Sequence, residues 1–129
     1  MKITKIKTAF KDNRGDISDI FYNHLINHVA IINSKKGVFR GDHYHKSSVQ
    51  HMYMSKGSLR YYWRNVNESK VKSIVIKQGE MVTTPPNEIH ALEIIEDNQF
   101  IVFAEGKRGG HDYESDCFRI KPSLIHGRS

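Results

Sequence analysis

Apolar and polar positions along this chain alternate in short runs and almost nowhere recur at the spacing of a helix face. Val29–Asn33 is apolar and β-branched. Val49–Met54 and Ser58–Arg64 read as two further strands. Between them Ser55-Lys56-Gly57 reads as a hairpin turn, with Gly57 supplying the unusual backbone angle. Asn67-Glu68-Ser69 is a second turn, after which Val71, Ser73 and Val75 alternate along another strand. Gln78-Gly79 turns the chain again. Met81–Thr84 follows and stops at Pro85-Pro86, because proline has no N–H to give to a ladder. His90–Glu96 and Phe100–Glu105 read as a pair joined across Asp97-Asn98. A late strand around Cys117–Lys121 would close the sheet or cross to a second subunit. Many short strands at spacings of about ten residues predict an all-β sandwich or barrel. Met52 and Met54 are expected to line its interior, and Tyr61-Tyr62-Trp63 to serve its core, an interface or a platform for a nucleotide base.

Length and charge narrow this picture. With 129 residues the chain makes one domain over 1–129, its core spanning about 10–121. The net charge of +6 comes from basic residues that are scattered rather than blocked, so no nucleic-acid partner is expected. A few converging cations would instead hold an anionic small molecule such as a diphosphate. No apolar run approaches the ~20 residues of a membrane helix. Met1-Lys2-Ile3-Thr4-Lys5 lacks the apolar segment of a secretory signal. The single cysteine, Cys117, allows no intrachain disulfide and suits a reducing compartment. The expected location is the cytoplasm. Gly106–Gly110 reads as a mobile loop or arm, and His126–Ser129 as a frayed end.

The chemistry concentrates in Gly41–Gly57. His43 and His45 are two apart, so on a strand both imidazoles leave the same face. Gln50 follows on the next strand, and His90 ends the segment that begins at Gly79. Two histidines, an amide and a distant third histidine suit either a first coordination shell or a proton-transfer site. His51 points away from Gln50, and His24, His28, His111 and His126 lack a partner pattern. Arg40 is open to substrate or to a carboxylate such as Asp42 or Glu80.

This arrangement resembles the paired motifs of the cupin superfamily. His43, His45 and Gly57 match the first, and Gly79, Pro85 and His90 the second. Gln50 stands in place of the usual Glu, Asn87 in place of a Gly, and Ile94 in place of an Asn. The resemblance selects a cupin jelly roll, a double-stranded β-helix. Its exposed sheet edges are commonly covered by a second copy, so a homodimer is expected.

Asp12-Asn13-Arg14-Gly15 and Arg40-Gly41-Asp42-His43 narrow the likeness to the nucleotide-sugar branch, which includes dTDP-4-dehydrorhamnose 3,5-epimerases. Arg40, Gly41, His43, His45, Lys46 and Gln50 also match the pattern of dTDP-4-keto-6-deoxyglucose 3,4-ketoisomerases, where Ile89 stands in place of Trp. The likeness spans Phe10 to Glu105. It implies proton abstraction beside the ketone of a nucleotide-diphosphate 4-keto-6-deoxy sugar, in surface-polysaccharide synthesis. His43, His45 and Arg40 would be catalytic, and Arg40, Lys46, Gln50 and Arg60 would contact substrate. Tyr53, Tyr61, Tyr62 and Tyr113 are all candidate acids. A ketoisomerase-like site implies no cofactor. Otherwise His43, His45, Gln50 and His90 would bind zinc, iron or nickel. The alternatives are a non-catalytic metal- or sugar-binding cupin and a metal-dependent dioxygenase.

Overall fold

The computed structural model describes residues 1–106 and 115–125. Twelve strands run through them: β1 (Lys2–Lys5), β2 (Thr8–Asp12), β3 (Gly15–Ser18), β4 (His28–Ser34), β5 (Phe39–Tyr44), β6 (Val49–Lys56), β7 (Ser58–Asn65), β8 (Lys72–Lys77), β9 (Glu80–Thr84), β10 (Glu88–Glu93), β11 (Asn98–Glu105) and β12 (Phe118–Arg119). One sheet has the order β1-β9-β6-β11-β4 and the other β12-β5-β10-β7-β8, while β2 and β3 pair only with each other. All pairings are antiparallel. The fold is an all-β jelly roll of the cupin type. Among the described residues no helix is long and apolar enough to cross a membrane.

Two turns do different work from what their local pattern predicts. Ser55-Lys56-Gly57 does not close a hairpin, because β6 and β7 lie in opposite sheets. Asp97-Asn98 likewise carries the chain from β10 across to β11. The two crossovers pack on each other: a Cβ on Gly57 would lie 2.6 Å from the Asp97 carbonyl oxygen. Gly57 therefore serves a close backbone approach as well as its positive φ of 74°. The strand read as His90–Glu96 is Glu88–Glu93, and Ile94 is already in the crossover, its N–H bonded to Val38. The β7–β8 turn is a true hairpin, but Ile76 rather than Val75 faces inward, paired with Leu59.

Alternation builds the core. Met52 and Met54 of β6, Phe100 and Val102 of β11, Leu59 and Tyr61 of β7, Leu92 of β10 and Val82 of β9 meet between the sheets. A smaller cluster on the back of the second sheet packs Ile89 and Ala91 under Leu124 and Ile125. Asp42 fastens that C-terminal segment, accepting from Ser123 Oγ at 2.7 Å and the Leu124 N–H at 2.9 Å. The late strand around Cys117–Lys121 reduces to β12, which pairs with β5 and extends the second sheet. The readings placed on 107–110, Tyr113 and His126–Ser129 lie outside the described residues.

Candidate active site

A cavity of about 280 Å³ opens between the sheets at one end of the jelly roll. Its floor is apolar, with Ile32, Met52, Leu92, Phe100 and Val102. Its polar lining is Arg40, His43, Gln50, Tyr61, Thr84, His90 and Arg119. A second hollow lies at the β2–β3 hairpin, where Arg14 Nη2 pairs with Asp12 at 2.6 Å, and among the described residues no histidine lines it.

The histidine wall depends on a bulge in β5. His90 pairs with His43, but the next residue, Ala91, pairs with Gly41. Gly41 and Asp42 both take positive φ, 89° and 59°. A Cβ on Gly41 would lie 2.7 Å from the His90 carbonyl oxygen, so the bulge admits only glycine there. It turns His43 and His45 toward His90. Ring centroids are 4.7 Å apart for His43–His90, 5.0 Å for His43–His45 and 5.6 Å for His45–His90. His43 and His90 line the cavity; His45 sits behind them, 2% exposed.

Backbone carbonyls set the tautomers. His45 Nδ1 is 2.5 Å from the Asp116 carbonyl oxygen and His90 Nδ1 is 3.2 Å from that of Glu88. A carbonyl only accepts, so each Nδ1 carries the proton and Nε2 is the basic nitrogen of the neutral ring. Asp116 also organises the loop after β5. Its carboxylate accepts from the N–H groups of Lys46, Ser47 and Ser48 at 2.7–2.9 Å. Burial pushes that carboxyl up, but the three donors outweigh it and hold it below the ordinary range.

Tyr61 stacks on His90, with ring planes 2° apart and centroids at 6.1 Å. Its hydroxyl meets Thr84 Oγ1 at 2.5 Å and Glu88 at 3.3 Å. Burial first, then the Glu88 charge, push this phenol well above its ordinary value, so it stays protonated at neutral pH. Burial also raises Glu88, against the opposing pull of the Met1 amino group paired with it. On the facing sheet Gln50 is buried, and among the described residues its amide nitrogen has no hydrogen-bond partner.

Five of the candidate site residues singled out from sequence, Arg40, His43, Gln50, Tyr61 and His90, thus line one cavity, with His45 directly behind. Arg40 pairs with neither Asp42 nor Glu80. Its Nε donates to Ser34 Oγ at 2.8 Å and its Nη2 to the Asn33 carbonyl at 3.2 Å, which fixes it at the rim. Two expected substrate contacts lie elsewhere. Arg60 falls between the inward Leu59 and Tyr61, so alternation sends it to the outer face beside Tyr62 and Glu93. Lys46 is exposed and lies over the Phe118 ring at 4.4 Å, outside the cavity. Tyr53 and Tyr62 alternate with inward residues and face outward. Arg119, which β12 places beside His43, was not found from sequence, and neither was Asp116. Neither carries a motif, and both act through contacts about 70 residues or more away along the chain.

Residues 10–111 match the family described as Polysaccharide biosynthesis C-terminal domain. The chain belongs to that family. No curated protein sequence matches it. Among solved structures, a 3,4-ketoisomerase from Helicobacter canadensis superposes with TM-score 0.77 at 21% identity, over 92% of this chain and 90% of that one. A variant of the QdtA 3,4-ketoisomerase from Thermoanaerobacterium thermosaccharolyticum, solved with TDP-4-keto-6-deoxyglucose, gives 0.74 at 21%, over 92% and 86%. The dTDP-4-dehydrorhamnose 3,5-epimerase from Sulfolobus tokodaii gives 0.73 at 22%, over 90% and 74%. At these identities the likeness establishes the shared fold.

Proposed function

We propose that this member of the polysaccharide biosynthesis C-terminal domain family is an isomerase of nucleotide-linked 4-keto-6-deoxy sugars. It would act by proton abstraction beside the ketone, in surface-polysaccharide synthesis. The observation that carries the reading is the placement of His43, His45 and His90 together on one wall of a cavity with arginines at its rim. The 4-ketone acidifies the hydrogens at C3 and C5, and a neutral imidazole with a pKa of ~6.5 is a base matched to that work near neutral pH. His43, in contact with the cavity, takes the proton. His45 and His90 form its relay. Gln50, a buried donor on the opposite wall, meets an oxygen of the sugar; leaving such a donor unmatched costs about 1–3 kcal/mol. Arg40 and Arg119 hold the diphosphate at the mouth.

The arrangement favours moving the ketone over inverting a carbon. Inversion returns the proton from the opposite face of the ring and needs an acid on the facing wall. Among the described residues that wall offers Gln50 and Thr84 as polar lining, and the Tyr61 hydroxyl that reaches across to it is already engaged by Thr84 and Glu88. Transfer between neighbouring carbons on one face needs only the histidine wall. The enzyme works as a cytoplasmic homodimer: Val29 and Ile31 on the open edge strand β4 are 57% and 62% exposed, a surface suited to a second copy.

The three histidines also fit a divalent metal, since one ligand nitrogen from each lies within 4.8 Å of the others. His43, His45 and His90 would hold it, and when bound it would supply Lewis-acid polarisation of the sugar ketone. Gln50 gives a neutral amide where a carboxylate would bind more tightly.

The test is proton exchange in D₂O with dTDP- and UDP-linked 4-keto-6-deoxy sugars, followed by NMR. Deuterium at C3 with appearance of the 3-keto product is expected. Deuterium at C5 with an inverted centre would make the chain an epimerase. No exchange by folded protein, with or without added Zn²⁺, Fe²⁺ or Ni²⁺, would leave a binding module.

A further inference from the structure

A second group of ligating side chains lies outside the cavity, on the back of the first sheet. His51 follows Gln50 on β6 and therefore faces the other way. Glu105 ends β11, and His24 comes from the connector between β3 and β4. The carboxylate of Glu105 meets His51 Nε2 at 2.6 Å and His24 Nε2 at 2.8 Å through the same oxygen. These three segments are distant in sequence, yet one atom from each lies within 4.8 Å of the others.

We infer that His24, His51 and Glu105 form a binding site for a divalent transition metal, zinc in the first instance, that clamps the β3–β4 connector onto the sheet. Two imidazoles and a carboxylate, with a water in the fourth position, are an ordinary zinc ligand set. His24 and Glu105 are 40% and 34% exposed at the side chain, so the ion and its water have a route in from solvent, while His51 at 8% anchors the inner side. Phe21 walls the cluster, stacked on His24 at 5.0 Å and edge-on to His51 at 4.8 Å. Tetrahedral bonds of ~2.0–2.1 Å would place the ligand atoms ~3.3 Å apart, so Glu105 has to draw back by less than about 1 Å.

The proton balance closes. Without metal, each Nε2–H donates to Glu105. In a neutral ring the proton moves from Nε2 to Nδ1 as Nε2 takes the metal, and no proton is released. Thr83 Oγ1 lies 2.9 Å from His51 Nδ1 and can accept that N–H, the supporting bond that orients a metal-bound histidine. The far end of the connector is already tied to the same strand: Asn27 N–H donates to the Ala104 carbonyl and Asn27 Oδ1 accepts from the Gly106 N–H, both at 2.9 Å. The metal would close the near end.

The experiment titrates zinc chloride alone into full-length protein by calorimetry, with cobalt(II) absorption as a second readout. A variant carrying His43→Asn, His45→Asn and His90→Asn removes the cavity histidines. It is expected to keep one zinc per chain, which His24→Asn or Glu105→Gln then abolishes. Thr83→Val is expected to weaken binding about 10–100-fold. Should the triple variant fail to fold, the wild-type protein serves: Glu105→Gln must remove one zinc equivalent and the accompanying rise in melting temperature. Zinc that is lost with the cavity histidines but unaffected by Glu105→Gln overturns the proposal. So does a wild-type chain that binds no zinc, which would leave a hydrogen-bonded staple only. Neither result depends on turnover.

Discussion

His43, His90 and Gln50 each combine a polar group with a cavity-facing position, and substitutions there separate chemistry from folding. His43→Asn keeps the ring position filled by a smaller polar group, so its melting temperature should stay within a few degrees of wild type. Its turnover should fall by about 10²–10⁴-fold, the usual share of a positioned base. Steady-state kinetics beside a thermal melt checks both; a normal rate would remove His43 from the mechanism. Arg40 and Arg119 should behave differently. Replacing either with glutamine is expected to raise KM for the nucleotide sugar about tenfold or more with a smaller change in kcat, because a phosphate contact is made equally in ground and transition states. Arg40 was legible from its place before Gly41. Arg119 was not, because its role comes from the pairing of β12 with β5.

At the scale of elements, the β5 bulge and the loop after it decide whether the histidines converge. Gly41→Ala has to displace the His90 carbonyl or abandon its positive φ, and should cost about 2 kcal/mol or more by chemical denaturation. Turnover should fall with it, since the same shift separates His43 from His90. Asp116 holds the loop through three backbone donors, and Asp116→Ala should cost about 1 kcal/mol, the scale of a lost cap. The pH dependence follows from its depressed carboxyl. A group bound more tightly as the anion contributes fully above its ordinary value of 3.8, and the contribution is lost as pH falls from there through the lower folded value. Acid titration of wild type and Asp116→Asn should therefore give stability curves that differ at pH 7 and draw together as pH falls below 3.8. A constant gap across that window would rule this account out.

For the whole molecule, the exposed hairpin β2–β3 and the open edge of β4 leave Phe10, Ile17, Val29 and Ile31 more than half exposed. A second copy covering part of this surface predicts twice the chain mass by light scattering at micromolar concentration. Val29→Lys with Ile31→Lys should shift that mass toward the monomer if β4 is the contact. A monomeric wild-type protein would count against the homodimer.

Sequence alone determined the all-β class, the positions of most strands and the three histidines that converge, because strand alternation and motif spacing are local properties of the chain. It did not determine which strands pair. The Gly57 and Asp97-Asn98 turns look like hairpins from their own residues, and only the packing of one crossover on the other sends each following strand to the opposite sheet. The same limit explains the site. Arg60 and Lys46 are near the motif in sequence yet leave the cavity, since alternation and the Phe118 ring direct them outward. Arg119 and Asp116 are remote in sequence yet reach it, since antiparallel pairing and backbone capping act across space.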